Sequence, residues 1–130
     1  MSPDLDDQCL LMYQEARRLS AEFGHFEIIC TLHVVIVLLT SIRAENLDVL
    51  APDVEWLKAV VSSKYPPWPT DIVVLSPAGK TPKVLRLQER ALEMARSLNQ
   101  NVHVEHFWTA ILELESEWVA SFLSELRIVP

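Results

Sequence analysis

Three groups of residues in this chain have types and spacings that chemistry could use. Gly79-Lys80-Thr81 closes the pattern of a phosphate-binding loop, in which two glycines let backbone N–H groups curl around phosphates while the lysine reaches the outer ones. Position 74, where the first glycine belongs, is Val74, and Pro82 removes a donor from the helical turn that would face the phosphates. Gly24 and Gly79 are the only glycines, so no second loop is available and no nucleotide is expected within this chain. Cys30 and His33 have the types of a nucleophile and its base. They stand in a strongly apolar stretch where a thiolate is disfavoured, so a structural thiol is the expectation. His103, Glu105 and His106 have the types of metal ligands, and His at i and i+3 can share a helix face. His103 falls before the expected helix, there is no H-E-x-x-H, and no third ligand can be named, so capping or packing is expected of His33 and His106. No catalytic set, metal or cofactor is therefore assigned.

The elements that position these groups follow from composition. The chain has 130 residues, half of them apolar, enough to bury one core without staples. A net charge of −7 argues against nucleic acid or an anionic membrane as partner, since a phosphate-binding surface needs a Lys/Arg excess. A protein or peptide is the expected partner. The apolar run from Ile28 to Leu39 is shorter than the roughly 20 residues a bilayer needs, which makes it a buried helix. The acidic start "MSPDLDDQC" has none of the features of a signal peptide, and Cys9 and Cys30 are expected to stay reduced, as in a cytoplasmic protein.

Scarce glycine and apolar spacings of three and four predict an all-α fold. Ser2-Pro3-Asp4 is expected to open a first helix ending near Ala21, and Thr31 to cap a second running from Leu32 to about Arg43. A short helix over Asn46 to Leu50 and another from Pro52-Asp53 follow. Four prolines between Lys64 and Pro77 predict an extended connection, with "DIVVL" lying on the surface. Thr81 caps a helix with Pro82 at its first position, reaching about Leu98. Helices from Val104 to about Leu114 and from Glu117 to Leu126 complete the chain. The halves match: Ala16-Arg17-Arg18-Leu19 with Ala95-Arg96-Ser97-Leu98, and "HVVIVLL" from His33 with "HFWTAIL" from His106. On that matching, residues 1–63 form one repeat, 64–80 a linker and 81–130 a second repeat, packed about a pseudo-twofold axis.

The pattern "ARRLSAEFGH…TLHVVIVLL" and "ARSLNQNVHVEHFWTAIL" resembles the N-terminal double-repeat domain of Clp-type AAA+ unfoldases. The resemblance covers essentially the whole chain. It implies a non-enzymatic module that recognises substrates or adaptors for protein unfolding and degradation. A free-standing regulator that binds the Clp machine itself is the alternative, and a small hydrolase using Cys30 or the His pair a third reading. In related domains of the ClpC type, the acidic residue before the helix-opening His receives phosphorylated arginine. Glu105 retains that carboxylate, while Leu32 replaces it in the first copy, removing a contact worth of order 1.5–3 kcal/mol. The helix starts at Thr31, Leu32 and Glu105 are the expected binding residues, with Trp68, among the prolines, a surface aromatic.

Overall fold

The computed structural model describes residues 4–42, 54–65, 67 and 79–125. Among them are six helices, α1 (Asp7–Glu22), α2 (Thr31–Leu39), α3 (Val54–Lys64), α4 (Pro82–Ser97), α5 (Val104–Leu114) and α6 (Ser116–Glu125), so the fold is all-α. Trp68, the "DIVVL" stretch and the helix expected over Asn46 to Leu50 lie outside the described residues. No helix among the described residues is long and apolar enough to cross a membrane.

The packing centre is α2, in which all nine residues are buried. A helix apolar on every side must be surrounded. Its neighbours are α1 and α5; α5 packs in turn on α4 and α6. Phe107 of α5 meets the Tyr13 ring edge-on at 5.6 Å, joining α1 to α5, and Trp108, Phe107 and Ile111 are fully enclosed.

The first helix starts later than Ser2-Pro3-Asp4 suggests. Leu5 is extended and bridges Val102, so the N-cap falls on Asp6, whose carboxylate accepts the Cys9 N–H at 2.8 Å. The second helix starts one residue earlier than expected and stops sooner. Cys30 is its N-cap, Thr31 its first helical residue, and the chain leaves the helix at Thr40. By contrast, Thr81 caps α4 with Pro82 in its first turn, as the sequence predicts, and α5 has the predicted bounds.

One set of backbone bonds occurs twice. Asp6 N–H donates to Val102 O and Val102 N–H to Asp4 O; Thr81 N–H donates to Ile29 O and Ile29 N–H to Gly79 O. His33 Nδ1 accepts the Cys30 N–H at 3.0 Å, and His106 Nδ1 accepts the His103 N–H at 2.9 Å. At the ends of α1 and α4, His25 N–H bonds to Ser20 O and Gln100 N–H to Ala95 O, with Gly24 and Asn99 both left-handed. These bonds pair Ser20, rather than Ala16, with Ala95. The Ala-Arg matching is thus one helical turn out of register, because small buried residues stand four apart in both helices, Ala16 and Ser20 in α1 and Ala91 and Ala95 in α4. In the corrected register, Gly24 to Cys30 is two residues longer than Asn99 to His103. The extra length contains Phe26 and Glu27, two consecutive non-glycine residues at φ 58° and 60°. Left-handed backbone costs such residues about 1–2 kcal/mol each, so this loop is strained.

Candidate functional site

The bridge between Ile29 and Lys80 brings the N-termini of α2 and α4 side by side. Beside them opens a cleft of about 640 Å³, a size suited to a small ligand or a short stretch of peptide. One wall is Cys30, Thr31 and Leu32 with His25 behind them; another is Thr81, Pro82 and Lys83. Lys64, Tyr65 and Pro67 contribute from the end of α3, and Glu115 and Trp118 from the start of α6. Trp118 stacks on Phe122, centroids 5.2 Å apart and planes at 9°, which holds its indole as a flat platform.

Thr31 and Leu32, both expected at a binding site, are in this wall, and both are largely buried. Thr31 Oγ1 is buried and has no hydrogen-bond partner among the described residues. Glu105 does not line the cleft. It occupies the first turn of α5, whose start adjoins the start of α1, and its charge is felt by Cys9 and His106. Leu32 and Glu105 therefore belong to different helix starts, one apolar and recessed, the other acidic and half-buried. Lys83, Tyr65 and Pro67 had no signal in the sequence as site residues; Glu115 stands out there only as part of an acidic stretch with Glu113, Glu117 and Glu125. The doubled bridge that brings α4 and α6 to Thr31 is visible only once the helix starts are paired.

Behind the cleft runs a buried chain of rings. His33 Nδ1 accepts from Cys30 N–H, so its Nε2–H donates to His25 Nδ1 at 2.9 Å. Burial, with His25 adjacent, lowers the His33 pKa to about 3 and keeps the ring neutral. Cys30 Sγ is 3.4 Å from His33 Nδ1. Burial pushes its thiol up, against the backbone N–H groups of His33 and Leu32 that favour the thiolate. A base that resists protonation beside a thiol that resists ionisation cannot form an imidazolium–thiolate pair. The arrangement caps α2: Cys30 and His33 each satisfy the other's backbone N–H.

At the other helix start, His103 Nδ1 meets Asp6 Oδ2 at 2.6 Å, and the His103 and His106 rings stack at 5.5 Å. Burial opposes ionisation of Asp6, but hydrogen bonds with His103 and Cys9 outweigh it and hold the carboxyl below its ordinary range. His103 and His106 thus serve as cap and N3 partner of α5. Among the described residues no group of three or more His, Cys, Asp and Glu is arranged to hold a metal ion.

The Gly-Lys-Thr residues are engaged in the fold. Gly79 O and Thr81 N–H pair with Ile29, Thr81 Oγ1 accepts the Val84 N–H, and the Lys80 ammonium lies 4.0 Å above the Tyr13 ring. Against known proteins, no family model, no curated protein and no solved structure matches this chain.

Proposed function

We propose that this chain is a non-catalytic recognition module that docks polypeptide segments or adaptors for a Clp-type unfolding machine, using the cleft at the starts of α2 and α4. The carrying observation is the cleft itself: an apolar recess with a stacked Trp118 platform, framed by paired helix starts and holding Leu32 at the position where the resemblance has a carboxylate. The recurring bridge, cap and helix-end bonds support the double repeat, residues 1–63 and 81–130 about the 64–80 linker, on which the resemblance rests. Loss of the carboxylate at Leu32 shifts the cleft away from guanidinium groups and toward apolar segments. Glu105 keeps the acidic character at the other helix start.

The test is binding of a permanently unfolded protein, reduced and carboxymethylated lactalbumin, followed by titration calorimetry. Trp118→Ala and Leu32→Lys are expected to weaken binding about tenfold or more, with the helical signal intact. Binding equal to that of the unaltered chain in both variants would remove the cleft from the account.

A further inference from the structure

The cleft is polarised in a way that the docking reading does not itself require. Two helix N-termini open onto it, those of α2 (nine residues) and α4 (16 residues), each presenting the positive end of its backbone dipole. First-turn N–H groups are the ones a helix leaves without an internal acceptor, and Pro82 supplies none, so Thr31 and Lys83 carry the first-turn donors nearest the cleft. Thr31 adds an independent sign of a missing partner. It is 8% exposed, stands in the cleft wall, and its Oγ1 has no hydrogen-bond partner among the described residues. A buried hydroxyl left this way is costly and needs an explanation.

The charges agree. Among the described residues, Lys64 and Lys83 line the cleft against one carboxylate, Glu115, in a chain whose net charge is −7. Lys64 is held by Glu125 at 2.6 Å. Lys83 is much less restrained: its side chain is 71% exposed and its ammonium is 4.0 Å from Glu115, the outer limit of an ion pair. Apolar and aromatic side chains, notably Leu32, Tyr65, Pro82 and Trp118, make up much of the remaining lining, with Thr31, Thr81 and His25 between them.

From these observations, and resting on the docking reading above, we infer that the cleft takes the apolar C-terminal end of a polypeptide, its free carboxylate seated at the starts of α2 and α4. The carboxylate accepts from first-turn N–H groups and pairs with Lys83, while the apolar residues before it lie on Trp118 and Tyr65. Capture of a chain end by helix-start N–H groups is an established mode of peptide recognition.

The experiment uses the full chain and fluorescein-labelled Ala-Leu-Val-Leu, followed by fluorescence anisotropy, with the peptide ending either in the free acid or in a carboxamide. The acid is expected to bind about tenfold or more tightly than the amide. Lys83→Gln is expected to shrink that preference without loss of thermal stability. A third peptide, amidated at its end and carrying an internal Glu, is expected to bind like the amide. Equal binding of acid and amide overturns the inference and leaves the docking reading intact; binding of the internal-Glu peptide as tight as the acid overturns the assignment to a chain end. Failure of all three peptides overturns the inference, and the docking reading falls with it only if unfolded lactalbumin also fails to bind.

Discussion

Lowering the pH from 7 to 5 should destabilise this protein through His33. The ring is fully buried, and burial with His25 alongside takes its pKa from the ordinary 6.5 to about 3. The unfolded chain therefore takes up a proton as the pH falls through 6.5, while the folded chain does not until about pH 3. Stability is complete above pH 6.5 and erodes by about 1.4 kcal/mol per pH unit below it, reaching a loss of about 2 kcal/mol at pH 5. That is a large share of the roughly 5–15 kcal/mol that holds a domain together. Asp6 acts in a different window. Its folded pKa is lowered, so its contribution is present above the ordinary value of 3.8 and is lost only as the pH falls below that. Urea unfolding at pH 7.5, 6.5, 5.5 and 5.0 measures the His33 effect. The control is His33→Asn, whose side-chain oxygen can accept the Cys30 N–H that Nδ1 accepts at 3.0 Å and which does not titrate. The unaltered protein should lose about 2 kcal/mol more than His33→Asn between pH 6.5 and 5. Parallel pH profiles for the two proteins would refute the reasoning, as would an NMR titration placing the His33 midpoint near 6.5.

The left-handed residues give predictions of opposite sign. Gly24→Ala places a Cβ 2.7 Å from Pro67 Cβ at φ +73°, whereas at Gly79 the nearest atom is Arg17 Nη2 at 3.9 Å. Both should cost about 1–2 kcal/mol for backbone strain, with a further steric loss at Gly24 alone, so thermal unfolding should rank Gly24→Ala below Gly79→Ala. Glu27→Gly, at φ 60° and exposed, should raise stability by up to about 1 kcal/mol, while Glu89→Gly on the exposed face of α4 should lower it by about 1 kcal/mol, both read by chemical denaturation. Asp6→Ala removes the cap bond to Cys9 and the 2.6 Å contact to His103, and should cost about 1–2 kcal/mol at pH 7 by the same measurement.

What the sequence made legible was whatever a short stretch decides for itself. Thr81 and Pro82 are an N-cap and first-turn pair in any context, and the apolar run over α2 requires burial by its length alone. The helix start at Asp6 was misplaced because a long-range bridge decides it, Leu5 staying extended against Val102. The start at Cys30 was misplaced for a local reason: a cysteine, outside the usual set of capping residues, caps α2 together with His33 three residues on. Pairing of the two halves failed in register for a related reason. Small residues stand one turn apart on the buried faces, Ala16 and Ser20 in α1 and Ala91 and Ala95 in α4, whereas the left-handed residues Gly24 and Asn99, which mark the helix ends, share no residue type. Thr31 and Leu32 were singled out from the helix start and both stand in the cleft wall, but the wall opposite them comes from α3, α4 and α6, which no local pattern brings together.

The same bond framework therefore produces two unlike helix starts, and the differences trace to a few residues. At α5, Glu105 keeps a carboxylate in the first turn, and His103 ties the start to Asp6. At α2 the corresponding position is Leu32, and the two-residue longer loop carries His25 inward to His33. That loop retains two strained residues, Phe26 and Glu27, and it brings His25 against the neutral His33 ring behind the cleft. A neutral ring there leaves the helix-start N–H groups and Lys83 to set the sign of the field in the cleft. Shortening the loop by removing Phe26 and Glu27 should relieve the strain yet withdraw His25 from His33. Acid peptide binding should then fall even though the backbone conformation improves. A loop-shortened chain that is more stable and binds the acid peptide as tightly as before would show that the His25–His33 pair is packing alone and takes no part in shaping the cleft.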